Sequence, residues 1–119
     1  MSVHNHVFLI VFSMVFCTLL SAACVSPSIG EVAYSGRGLS LSVSQDGGPS
    51  DGYVQVTVYR ITDNQQKETG VLYAPLALQR GENSAFIPVT LEPGQYKLYI
   101  YLIQNGERKA ATIRDIMVN

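Results

Sequence analysis

Leu91-Glu92-Pro93-Gly94-Gln95-Tyr96-Lys97-Leu98-Tyr99-Ile100-Tyr101-Leu102-Ile103-Gln104-Asn105-Gly106 carries the pattern that decides the fold. Tyr96, Leu98, Ile100 and Leu102 fall on one side of an extended chain, and Lys97, Tyr99, Tyr101 and Ile103 on the other. A period of two marks a strand with one buried face. The strand begins after Pro93-Gly94, a pair suited to a type II turn, since proline presets φ at one central position and glycine accepts positive φ at the next. It ends at Asn105-Gly106, where both residues tolerate the positive φ of a type I′ hairpin turn. Arg108 to Val118 is expected to pair back antiparallel. Its alternation slips between Ile113 and Ile116, so a bulge is expected near Arg114-Asp115.

The same period recurs upstream. Ala85, Ile87, Val89 and Leu91 alternate with Phe86, Pro88 and Thr90. Val54, Val56 and Val58 alternate with Tyr53, Gln55, Thr57 and Tyr59, a β-branched and aromatic mixture that favours strands. Leu39, Leu41 and Val43 alternate with Ser40, Ser42 and Ser44. Asp46 to Gly52 reads as a turn-rich connection, and polar Thr62 to Gly70 as a hairpin loop leading into Val71 to Leu78. Pro75 within that last run indicates an edge position or a bulge, because proline donates nothing to a ladder. About six to seven short strands, with turns between them and no amphipathic helix, predict an all-β antiparallel sandwich.

Leu91, Pro93, Gly94 and Tyr96 also form a Leu-x-Pro-Gly-x-Tyr element that resembles the one before a late strand in immunoglobulin-like, fibronectin-like and transthyretin-like domains. The resemblance implies a structural corner in which the Tyr96 hydroxyl ties the turn between sheets to nearby backbone. Val56-Thr57-Val58-Tyr59-Arg60-Ile61-Thr62-Asp63, taken with Leu91-Glu92-Pro93-Gly94, is similar to the outer-membrane lipoprotein of type VI secretion systems. That second resemblance implies a transthyretin-type sandwich serving as an assembly component.

The chain has 119 residues, 47% of them hydrophobic, and all eight Lys/Arg and nine Asp/Glu lie beyond Cys24. From Val7 to Leu20 only Ser13, Cys17 and Thr18 interrupt an apolar run, and Ser21-Ala22-Ala23 follows it. An apolar core succeeded by small residues is the pattern of a secretory signal. The expected division is a signal peptide over 1–23, forming a hydrophobic helix, a tether over 24–38 and a β-sandwich domain over 39–119. Ala22-Ala23-Cys24 resembles the lipobox of bacterial lipoproteins, with Ser21 where that family usually has leucine. The resemblance implies a diacylglycerol on the thiol of Cys24, which becomes the new N-terminus, with palmitate as the lipid. Val25 in place of an aspartate after the cysteine implies the outer membrane in a cell that has two. Two other readings of the leader stay open: cleavage after Ala23 without lipid, and an uncleaved anchor helix over Val7 to Val25. All three place the domain outside the cytoplasm, in the periplasm or beyond it.

His4 and His6 both lie in the leader, and the chain has no tryptophan. Beyond Cys24 there is thus no imidazole, which removes Ser/His/Asp and Cys/His catalysis and the usual zinc sites from a lone chain. No cofactor and no metal are expected. A net charge of -1, with signs interspersed, gives no basic stripe for nucleic acid. A carboxylate-dependent enzyme using Asp46 or Asp51 is the alternative from another class, and the glycines and proline around those acids read more simply as a turn than as a Ca²⁺ loop. Tyr53, Tyr59, Tyr99 and Tyr101 all fall opposite the aliphatic set of their strands, a candidate interaction face. The expected function is a non-catalytic binding or assembly module, held to a membrane by lipid, with a protein partner in the cell envelope.

Overall fold

The computed structural model describes residues 27–119; the leader, its cleavage point and Cys24 lie outside the described residues. The strands are β1 (Ser28–Tyr34), β2 (Gly38–Gln45), β3 (Ser50–Thr62), β4 (Gln65–Leu78), β5 (Gly81–Pro88), β6 (Gly94–Gln104) and β7 (Glu107–Val118). They form two antiparallel sheets, a three-stranded one ordered β1-β2-β5 and a four-stranded one ordered β4-β3-β6-β7. The expected all-β sandwich is the fold. Strands one, two and five share a sheet and three, six and seven the other, an immunoglobulin-like arrangement in which the fourth strand has joined the third.

The alternation decides which side is inside. Leu39, Leu41 and Val43 of β2, with Ala85 and Ile87 of β5, meet Val54, Val56 and Val58 of β3 and Tyr96, Leu98, Ile100 and Leu102 of β6 in one buried cluster. Each fully buried aliphatic side chain contributes about 1.5–3 kcal/mol. A slip of β2 by one residue would exchange its leucines for Ser40, Ser42 and Ser44, so the core locks the register. One end of the sandwich closes with polar groups: Gln104 Nε2 donates to Gln45 Oε1 at 3.1 Å across the sheets and to Ser50 Oγ at 2.7 Å. Gln45 Nε2 in turn holds the carbonyl of Gly48 at 2.7 Å.

Asn105 and Gly106 take φ of 52° and 74°, as the type I′ turn requires. Pro75 lies on the edge strand β4, opposite Tyr53. Several local expectations are corrected. The Thr62–Gly70 loop is a two-residue turn at Asp63 and Asn64, with φ of 53° and 62°, and Gln65–Gly70 already belongs to β4. Pro93-Gly94 is a bend and not a type II turn: Gly94 has φ 151°, against about 80° for that turn, because it already pairs with Val118. Ser50, Asp51 and Gly52 open β3. Gly52 is there because a Cβ would sit 2.5 Å from the Ile103 carbonyl oxygen of the neighbouring strand.

The bulge of β7 falls at Lys109, between the pairs Leu102/Ala110 and Ile103/Arg108, and not at Arg114-Asp115. The alternation slips there for another reason. Arg114 occupies an interior-side position at the open flank between β7 and β1, where its guanidinium donates to Thr112 Oγ1 and, at 3.5 Å, to the Gly30 carbonyl. Part of the expected tether is structured as well. Ser28–Tyr34 is strand β1, paired with β2 from Ser28/Ser44 to Tyr34/Leu39 and irregular between Ile29 and Val32.

Candidate functional site

The two outer faces of the sandwich differ sharply in chemistry. On the three-stranded sheet, Ser40, Ser42 and Ser44 face outward beside Phe86, Ser84 and Glu82. On the four-stranded sheet, the register sets tyrosines and aliphatics in rows. Tyr53 lies between Pro75 and Ile103, Gln55 between Tyr73 and Tyr101, Thr57 between Val71 and Tyr99, and Tyr59 between Glu68 and Lys97. Arg108, Ala111, Ile113 and Asp115 of β7 continue those rows. The structure therefore brings Tyr53, Tyr59, Tyr99 and Tyr101 onto one surface, because all four occupy the outward parity of neighbouring strands.

Sequence reasoning missed Tyr73, which is 62% exposed, together with Ile113 at 52% and Met117 at 63%. A signal for Tyr73 existed: Leu72, Ala74, Leu76 and Leu78 form an inward set in which Tyr73 is of the opposite parity. Ile113 and Met117 were hidden by the apparent slip in β7.

The tyrosines are paired and not splayed. Tyr59 and Tyr99 meet edge to face, with centroids 5.0 Å apart at 72°, and Tyr53 and Tyr73 lie 6.1 Å apart at 54°. Such pairs stabilise a sheet by about 0.5–1.5 kcal/mol beyond area burial. Tilted rings also stand up as ridges, with a shallow hollow between them lined by Tyr99, Tyr101, Ala111 and Ile113. Charge falls at Arg108 at one end and in the row of Glu68, Lys97 and Asp115, which separates the central rows from Met117. The Arg108 guanidinium stacks 3.9 Å over the Tyr101 ring, and Lys97 faces Asp115 at 3.7 Å. Next to Arg108, the Lys109 ammonium donates to Glu107 at 2.8 Å and holds that carboxyl below its ordinary range.

The edges of the sheets carry the devices that block strand addition. β4 has Pro75 and an extra residue, Thr69, whose hydroxyl donates to the Val58 carbonyl at 3.2 Å. β7 has its bulge at Lys109 and inward-directed Arg114. β1 is short and irregular in its middle, and β5 is short and carries Glu82.

The corner implied by Leu91, Pro93, Gly94 and Tyr96 is formed. The buried Tyr96 donates its hydroxyl proton to the Glu92 carbonyl at 2.7 Å, and the Leu91 N–H donates to the Tyr34 hydroxyl at 2.8 Å. Arg60 locks the outside of the corner, donating to Glu92 Oε2 at 3.0 Å and to the Pro93 carbonyl at 2.9 Å with Tyr96 beneath it. A cleft opens beside this corner, lined by Arg60, Thr69, Leu72, Leu91 and Glu92. The cation lining it, Arg60, directs two of its donors to the bend. Asp46 lies in the β2–β3 loop and Asp51 near the start of β3 opposite Ala77, both exposed. Among the described residues, no three of His, Cys, Asp and Glu come together.

No protein-family model and no curated protein sequence matches the chain. Solved structures do. A protein assigned as a beta-galactosidase, from Bacteroides fragilis, superposes with a TM-score of 0.55 at 15% identity, covering 78% of this chain and 16% of that one. A Bacteroides uniformis beta-glucuronidase gives 0.49 at 15% identity, over 77% of this chain and 13% of its own. The Bacillus subtilis sporulation control protein Spo0M gives 0.46 at 12% identity, over 79% and 49%. The chain thus spans a small fraction of the two glycosidases and about half of Spo0M. The first superposition supports the sandwich fold.

Proposed function

We propose that this chain is a membrane-anchored, extracytoplasmic lipoprotein whose sandwich serves as a non-catalytic binding or assembly module, engaging a protein partner in the cell envelope through the outer face of β4-β3-β6-β7. The contrast between the two outer faces carries this reading. Solvated β-sheet needs only residues such as Ser40, Ser42 and Ser44, which one face has. The other face instead presents Tyr53, Tyr59, Tyr73, Tyr99 and Tyr101 with Val71, Ile113 and Met117. Tyrosine is enriched at interfaces because it offers rigid apolar area with a hydroxyl at its tip, while charge is depleted from interface centres and kept at rims. Arg108 at one end and Glu68, Lys97 and Asp115 at the other bound the three rows from Tyr53 to Tyr99 in that way, with Met117 lying beyond them.

The size of the face fits a partner of modest footprint. Four strands about 4.8 Å apart, over five rows about 6.7 Å apart, cover on the order of 600 Å². A standard interface buries about 800 Å² per partner and reaches down to about 600 Å², so this face, its charged residues included, matches the lower end of that class. The leader ending at Cys24 supports attachment to a membrane, and the missing imidazole supports a non-catalytic role.

A photoreactive residue at Tyr73, in the native envelope, is expected to give one discrete crosslinked species that is lost when Tyr99→Ala and Tyr101→Ala are added. The same group at Phe86, on the opposite outer face, is the control. Equal crosslinking from both positions, or crosslinking unaffected by the tyrosine substitutions, refutes the reading.

A further inference from the structure

We infer that the end of the sandwich bearing the β2–β3 loop, the β4–β5 corner and the Asn105-Gly106 turn faces the membrane surface, with the Asp63-Asn64 hairpin as the distal tip. The inference rests on the anchoring reading above and adds an orientation to it. Its starting point is strand β1. Ser28 pairs with Ser44, next to Gln45, and Gln45 is hydrogen-bonded to Gln104 on the other sheet. The chain therefore enters the fold at the end where Gly81 and Glu107 also lie.

From Cys24 to Ser28 is four residues, and an extended chain advances at most about 3.6 Å per residue, so the acylated cysteine lies within about 14 Å of the start of β1. An uncleaved helix ending at Val25 leaves less. β3 has 13 residues; at about 3.3 Å each that strand alone is about 40 Å long. The hairpin at its far end is beyond the reach of any attachment at Cys24 unless the domain lies on its side.

Lying on the tyrosine face is the arrangement to weigh against this, because tyrosine also suits a membrane interface. The geometry opposes it. β1 belongs to the three-stranded sheet, on the other side of the core. Packed sheets are about 10 Å apart, and one further layer of outward side chains adds about half that, so the tyrosine tips lie about 15 Å from the plane of β1. That takes up the whole reach of about 14 Å of a fully extended linker, which would also have to run round the edge of the sandwich while Ser28 stays paired. The membrane-facing end also presents polar and charged groups suited to a headgroup layer: Asp46, Arg80, Glu107 and Lys109 are exposed there. With this end down, the tyrosine rows stack away from the membrane, from Tyr53 and Ile103 at the base towards Met117. A partner is then met sideways.

The test uses the chain purified from membranes with its own N-terminus and reconstituted into phosphatidylcholine vesicles containing nitroxide-labelled lipid. Single fluorophores are placed at Gly47→Cys, Arg80→Cys, Gln65→Cys and Ile113→Cys in a Cys17→Ser background. These sites are exposed, and a Cβ at Gly47 meets nothing within 4 Å. Quenching several-fold stronger at Gly47 and Arg80 than at Gln65, with Ile113 between them, is expected. Attached protein in which Gln65 or Ile113 quenches as strongly as Gly47 overturns the orientation and leaves the anchoring reading standing. Protein that does not remain with vesicles, with no acyl mass on Cys24, ends both.

Discussion

Replacing Tyr96 by phenylalanine tests whether the corner before β6 is held by one hydroxyl. The ring is 3% exposed and packs in the core, so its apolar contacts survive the change. What is lost is the 2.7 Å hydrogen bond to the Glu92 carbonyl. A hydrogen bond contributes about 0.5–1.5 kcal/mol net, and an acceptor left without a donor costs about 1–3 kcal/mol where water cannot reach it. Glu92 is exposed, so water can partly replace the hydroxyl, which sets the expected loss near 1–1.5 kcal/mol. Arg60 still holds the Pro93 carbonyl and the Glu92 carboxylate, and this limits how far the bend can relax. That ion pair is largely solvated and is itself worth about 0–1 kcal/mol. With a urea slope of about 1 kcal/mol/M for a domain of this size, the midpoint of unfolding should fall by about 1–1.5 M with the slope unchanged. Tyr99→Phe is the control, because its hydroxyl meets only Gln66, at 3.4 Å on the surface. A loss below about 0.3 kcal/mol for Tyr96→Phe, or an equal loss for both variants, would show that the corner is held by packing alone.

Two further substitutions probe other supports of the fold. Gln104→Leu removes the two bonds to Gln45 Oε1 and Ser50 Oγ, which keep only their mutual 3.5 Å contact, and should cost about 1–3 kcal/mol, read as a thermal midpoint lowered by roughly 4–8 °C per kcal/mol; an unchanged midpoint would mean that the polar seam does not link the sheets. Gly106→Ala forces a Cβ into φ 74° and should destabilise by about 1 kcal/mol, whereas Gly48→Ala, with no neighbour within 4 Å and no positive φ, should be neutral or slightly stabilising by chemical denaturation.

The fold was legible wherever burial alone imposes a period of two. Leu39 to Val43, Val54 to Val58 and Tyr96 to Leu102 all have one face in the core, and their alternation admits a single register. Turns were legible only where residue type dictates backbone. Asn105-Gly106 is such a case, whereas Asp63-Asn64 takes the same conformation with residues that also suit a loop, inside a polar stretch with no core beneath it. Pro93-Gly94 misled for the opposite reason. Its composition matches a turn type, but the Arg60 and Tyr96 contacts that hold it as a bend come from residues distant in sequence or on the following strand. The candidate face was half legible. Tyr53, Tyr59, Tyr99 and Tyr101 sit on clean strands, while Tyr73, Ile113 and Met117 sit on edge strands, where Pro75, Thr69, Lys109 and Arg114 interrupt the pattern.

Those interruptions and the tyrosine face have a common cause. An edge strand that presents a clean, apolar, alternating sequence is also a template for pairing with another chain, so the features that obscure β1, β4 and β7 in the sequence are the ones that close the edges. With the edges closed, the outer face of the four-stranded sheet is where Tyr73, Ile113 and Met117 stay exposed, the surface on which the proposed function rests. β1 shows what such an irregular strand can decide. Its break between Ile29 and Val32 hides Ser28–Tyr34 within a serine- and glycine-rich segment that reads as a flexible tether. Recognised as a strand, it starts the described sheet at Ser28, four residues after Cys24. That short separation is what the proposed orientation draws on: with a lipid at Cys24, as proposed above, the end of the sandwich where β1 begins is the one near the bilayer.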